Sequence, residues 1–202
     1  MLPNSRKATP APKVPKDKYA KVTPKVPKSV WIGIVSFFVL IIAIIIFTTP
    51  SNQKAIYNSY ASNANADFTE DHPFYQVTYN NRLFRPGLKS IIEKDEVVFV
   101  FVGFASCPSC QSHIGAFQRY FYSESMDQYA DRFYYHNLVP DENGFEAFKL
   151  AYPEILDSVP QILVFQDGVL IDIFTPTSAD NTQVINASVR DFFRAVKTQL
   201  DA

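Results

Sequence analysis

Two cysteines are all that the 202 residues hold, and only two residues separate them, in Cys107-Pro108-Ser109-Cys110. A disulfide across so short a gap constrains little chain entropy, which excludes a scaffold stapled by disulfides. Charge is missing from Ser29 through Gln53, so that stretch is no amphipathic surface helix. A basic surface is missing beyond residue 29. The chain has 19 Lys and Arg against 20 Asp and Glu, but eight of those cations and one anion fall in residues 1–29. The acidic remainder excludes a nucleic-acid role for the folded part, because a polyanion needs a basic partner. A cleavage site is also missing behind the uncharged stretch. The nearest small-residue pattern, Ala64-Asn65-Ala66, lies far downstream, which argues against a cleaved signal peptide.

What fills the uncharged stretch is Val30 to Phe47, apolar on every face. About 18 residues at about 1.5 Å each reach roughly 27 Å, close to the hydrocarbon thickness of a bilayer. The reading is one transmembrane anchor over 30–48, with Trp31 as an interfacial residue. The cations precede it, so the N-terminus is expected in the cytoplasm and the C-terminal part outside, a single-pass cell-membrane topology in a compartment that permits disulfides.

Residues 1–29 are rich in Pro and Lys, with Lys13-Val14-Pro15-Lys16 echoed at Lys25-Val26-Pro27-Lys28. They read as a disordered basic cytoplasmic tail. Residues 49–72 are small and polar and read as a stalk. A globular pattern begins near Pro73. Short strands are expected at Tyr75–Tyr79, Glu96–Phe104, Phe133–Leu138, Gln161–Phe165 and Val169–Phe174, the last two joined by the turn Asp167-Gly168. Helices are expected after Pro86, after Cys107, over Gly144–Tyr152 and along the stripe Ile185, Val189, Phe192, Phe193, Val196, Leu200. The order β-α-β-α-β-α-β-β-α predicts one α/β domain over 73–202, its central mixed sheet flanked by helices and its last hairpin antiparallel.

The apolar strand Val97–Val102 delivers both thiols to a helix start. There, unpaired backbone N–H groups and the dipole favour thiolate over thiol at Cys107. Thiolate is the attacking species in disulfide exchange, and Cys110, one turn on, can resolve the mixed disulfide. Pro108 stiffens that turn where its missing N–H costs little. The pair is thus read as a redox-active disulfide needing no other cofactor. An inert pair or half a zinc site are the other readings; zinc needs two more ligands, and only His113 lies nearby in sequence. His113 either tunes Cys110 or is a helix-surface residue. Ser109 either donates to the Cys107 sulfur or faces water.

These motifs resemble the thioredoxin-like family over roughly 73–202: Cys-x-x-Cys after the second strand, Val159-Pro160 before the fourth, and the Asp167-Gly168 hairpin after it. The resemblance implies a cis peptide bond at Pro160 beside the cysteines. It also implies that Val159 and Pro160 present an extended substrate segment, with protein thiols or disulfides as substrates. Two directions stay open, an oxidant for exported proteins and a reductase fed by a redox partner in the membrane. Two departures stand out. No Trp precedes Cys107, and the buried acid of cytosolic relatives falls on Phe101. In Pro108 and Val159 the chain looks more like extracytoplasmic oxidants and isomerases, and Gly103–Cys110 is similar to small accessory proteins of this family in Gram-positive bacteria. The function implied is a membrane-anchored, outward-facing thiol–disulfide oxidoreductase of bacterial type. The rival from another class is a non-catalytic docking or metal-handling module on the same fold.

Overall fold

The computed structural model describes residues 27–48, 51–64, 67–176 and 181–202. By its contacts the chain divides into two units, Met1–Thr49 and Pro50–Ala202. Residues 1–26 of the expected basic tail lie outside the described residues. The first unit contains α1 (Lys28–Thr48), 21 residues and so roughly 31 Å long. Its side chains are described as far as Ile44 and are mostly exposed, Trp31, Ile32 and Phe37 among them. Among the described residues no helix is long and apolar enough to cross a membrane; the apolar run itself continues in sequence to Phe47.

The second unit is built on β2 (Val97–Gly103), buried along its whole length, as an unbroken apolar run demands. On one side it pairs in parallel with β3 (Phe133–Asn137), which pairs in parallel with β1 (Tyr75–Val77). On the other it pairs antiparallel with β4 (Gln161–Gln166), which returns as β5 (Val169–Phe174). The sheet order is β1-β3-β2-β4-β5. Asp167 and Gly168 both have left-handed φ, 50° and 81°, which suits the twist of a two-residue hairpin.

Four helices follow the strands as expected: α3 (Leu88–Ile92), α4 (Pro108–Ser123), α5 (Glu142–Ala151) and α6 (Thr182–Leu200). The period of two along β2 separates two cores. Phe99 and Phe101 face Phe117, Phe121 and Phe193 of α4 and α6, whereas Val98, Val100 and Val102 pack with Leu88, Ile92, Phe145 and Phe148 of α3 and α5. This is a thioredoxin-like α/β fold, with the mixed sheet that the alternation of elements implied.

The stalk expected at 49–72 is corrected. It contains α2 (Asn52–Tyr60), whose N-cap Ser51 accepts from the Lys54 amide at 3.2 Å. Ile56 and Tyr60, one turn apart, are fully buried, and Phe68 and His72 join them. The His72 ring stacks between Phe68 and Phe74. Asn52 also covers the free edge of β1: its Oδ1 accepts from the Gln76 amide at 2.6 Å and its Nδ2 donates to the Gln76 carbonyl at 3.3 Å. Residues 51–64 and 67–72 are part of the folded unit because two apolar residues at helical spacing close its core, despite the polar residues between them.

Candidate functional site

At Gly103 the central strand ends. The chain turns, with the Cys107 amide donating to the Phe104 carbonyl at 3.2 Å, and Cys107 becomes the N-cap of α4. Its Sγ accepts from the Cys110 amide at 3.1 Å, a capping contact that places the sulfur at the positive end of the helix. Pro108 occupies the first turn and is exposed. Ser109 is half-buried, and its carbonyl accepts from His113 Nδ1 at 2.7 Å and Ser112 Oγ at 2.9 Å. Thus the donor to the Cys107 sulfur is a backbone amide.

The two thiols are free and unequal. Cys107 is 7 % exposed and Cys110 is 0 %. Burial first, then the adjacent Cys107 sulfur, push the Cys110 thiol far above its ordinary range. Gly103 makes room for it: a Cβ there would stand 3.0 Å from both Cys110 Sγ and Phe101 Cζ, tighter than an ordinary contact.

The peptide Val159-Pro160 is cis, with Pro160 buried and Val159 half-buried. Register brings it to the same place, because Gln161 sits opposite Val102 near the end of β2. The buried Gln161 side chain fastens the approach, accepting from the Leu156 amide at 3.1 Å and donating to the Leu156 carbonyl at 2.7 Å. Cys107, Pro108, Ser109 and Cys110 therefore share one end of the sheet with Val159 and Pro160.

Beneath the sulfurs the floor is aromatic. Phe101 stacks on Tyr135 with centroids 5.1 Å apart, and the Tyr135 hydroxyl lies 3.1 Å from that of Tyr60. Both tyrosines are buried, and burial drives both phenols well above their ordinary range; negative charge on Cys110 or Cys107 drives them further. Neither tyrosine was singled out from sequence. Tyr60 lies one turn after Ile56, and Tyr135 shares a strand face with Phe133, and these spacings were the available signals.

His113 is not on the helix surface. It is 1 % exposed, with its ring against Phe117 and Phe174 and Nε2 without a partner. Its Nδ1–H donates to the Ser109 carbonyl, and burial holds it below its ordinary value. Among the described residues no three His, Cys, Asp or Glu side chains gather as a metal site. A sulfur capping a helix start, less deeply buried than the second one a turn away, can perform two-step thiol–disulfide exchange.

No family model and no curated protein matches the chain. Among solved structures it is similar to the oxidized form of mitochondrial thioredoxin 3 from Saccharomyces cerevisiae, at 14 % identity over 66 % of this chain and 98 % of that one, with a TM-score of 0.37. It is also similar to the thioredoxins of Malassezia sympodialis (15 % identity, 51 % and 82 % covered, TM-score 0.35) and Plasmodium falciparum (16 %, 51 % and 88 %, 0.33). The fold itself rests on the strand order and register described above.

Proposed function

We propose that the chain is a thiol–disulfide oxidoreductase of the thioredoxin-like family, held in the membrane by residues 30–48 and acting outside the cytoplasm on exported or surface proteins. The observation that carries this reading is the inequality of the two sulfurs. Cys107 caps the helix start and keeps 7 % of its surface exposed, whereas Cys110, one turn in, keeps none. In the reducing direction the Cys107 thiolate attacks one sulfur of a substrate disulfide, that bond breaks, and the departing substrate thiolate takes a proton. Cys110 then gives up its proton, attacks Cys107 Sγ, closes the internal disulfide and releases the second substrate thiol. Two electrons have moved from the pair to the substrate. In the oxidising direction a substrate thiolate attacks Cys107 of the disulfide form, and Cys110 leaves and is protonated.

Val159 and Pro160 border the sulfurs and serve as the edge against which an extended substrate segment lies. The anchor rests on the sequence alone, the apolar run from Val30 to Phe47 and the absence of charge through Gln53. The cations in front of it support a cytoplasmic N-terminus. That address suits donation of disulfides to exported proteins, and α1 holds no cysteine to relay electrons from the other side.

Redox titration of the full chain in detergent against glutathione buffers tests the reading. A potential near about −120 mV assigns an oxidant, and one near about −270 mV a reductase. Absence of any exchange with glutathione or a model disulfide overturns the enzyme reading in favour of the docking or metal-handling module.

A further inference from the structure

The loop between β1 and α3 carries a two-residue hairpin tip, Leu83-Phe84, closed by reciprocal backbone bonds between Arg82 and Arg85 at 2.9 and 3.0 Å. Its base is clamped: the Gly87 amide donates to Asn81 Oδ1 at 2.7 Å and the Leu88 amide to the Thr78 carbonyl at 2.9 Å. The tip is therefore held out by design of the backbone, yet Leu83 is 84 % exposed and Phe84 93 % exposed. Phe84 also has a left-handed φ of 64°, a conformation in which glycine or asparagine costs less. An aromatic residue kept there, almost wholly in solvent, adds little to the packing of the fold.

The charge around the tip is the reverse of the acidic domain's. Arg82, Arg85 and Lys89 occur between His72 and Ile92 with no Asp or Glu among them. Beside the tip a groove of about 840 Å³ runs along the β1 edge, and Arg82, Arg85 and Lys94 outnumber the two carboxylates that also line it, Asp95 and Asp131. Apolar side chains at a tip with cations at its base are complementary to one surface chemistry, an acyl layer beneath anionic headgroups.

We propose that Leu83 and Phe84 insert into an anionic lipid surface, with Arg82 and Arg85 at the headgroups. Insertion does not depend on the redox reading. If that reading also holds, one consequence rests on it. The tip follows β1 and Cys107 follows β2, so both lie at the same end of parallel strands, and the thiol pair works on substrates at the bilayer surface.

The full chain in nanodiscs tests this, with Phe84→Trp as reporter and Trp31→Phe removing the single native tryptophan. In discs rich in anionic lipid the reporter's emission shifts to the blue and is quenched by brominated acyl chains, and Arg82→Glu with Arg85→Glu abolishes both effects. Water-like emission in the anionic discs, or a shift that survives the charge reversal, overturns the proposal. The unsubstituted chain supplies a second measurement. Trypsin cuts after Arg82, while Pro86 blocks the bond after Arg85, so the Arg82–Leu83 bond is protected in anionic discs and cut in detergent. Equal cutting in both also overturns it.

Discussion

The Tyr60–Tyr135 pair under the redox site permits a quantitative test of how its floor is held. Among the described residues each hydroxyl has the other as its hydrogen-bond partner, at 3.1 Å, in surroundings that exclude water. Removing one hydroxyl leaves the other buried and unpaired, which costs about 1–3 kcal/mol, whereas removing both leaves nothing to desolvate and is nearly neutral. Tyr60→Phe and Tyr135→Phe are thus each expected to destabilise by about 1–3 kcal/mol, and the double variant by less than either alone. For a unit of this size that is roughly 2–4 °C in Tm per kcal/mol. The assay is urea unfolding followed by circular dichroism, run as a double-mutant cycle at pH 7. The same pair sets an alkaline limit. Both phenols are raised in the fold, so their contribution is fully present below the ordinary tyrosine value of about 10 and is lost as pH climbs above it. The double Phe variant flattens that loss. If the double variant loses the sum of the two singles at pH 7, the hydroxyls do not depend on each other and the reasoning fails.

Iodoacetamide is expected to label Cys107 and to spare Cys110 in the reduced fold, and mass spectrometry of the labelled peptides checks it; equal labelling contradicts the burial difference. Because the Cys110 thiol is pushed far up, resolution of a trapped mixed disulfide at Cys107 should quicken about tenfold per pH unit over roughly pH 6–9 in stopped-flow measurements; a flat profile refutes it. Gly103→Ala should cost about 1–3 kcal/mol by overpacking and slow internal disulfide closure, since the added methyl meets the Cys110 sulfur; unchanged urea midpoints and closure rates count against it. His72, His113 and His136 are all buried and held below their ordinary value, by burial first in each case. Their contribution is present above about pH 6.5 and lost as pH falls below it, by up to about 4 kcal/mol per unit if all three charge on unfolding. His72 shows why: its Nδ1 accepts from the Phe74 amide at 3.2 Å while Nε2–H donates to the Gln53 carbonyl at 2.9 Å, and protonation removes the acceptor. Urea midpoints across pH 5–7.5 measure the slope.

The central strand and the hairpin were legible because each carries a strong local signal: an unbroken apolar run in Val97–Val102, and an Asp-Gly turn that needs two left-handed residues. The stripe of α6 was legible for the same reason, with Ile185, Val189, Phe193 and Val196 all buried. The place of α2 was not, because Asn, Gln and Ser surround Ile56 and Tyr60, and only tertiary packing shows that the two face one core. His113 was misplaced on the surface because its polarity outweighed its spacing. It falls on the Cys110, Ile114, Phe117, Phe121 face, where an i, i+3, i+7 count alone would have put it inside. At the site, the cysteines were readable as a type and a spacing and the cis proline only through the family resemblance, but the paired tyrosines come from segments 75 residues apart, and no local pattern joins them.

The Asn52 amide reproduces on β1 the two backbone bonds that another strand would make. A fragment begun at residue 67, a boundary the polar composition invites, would lose this side-chain plug and present a bare rim of donors and acceptors. It would be prone to zip onto copies of itself, and its self-association would then say more about where the chain was cut than about how the protein lives in the cell.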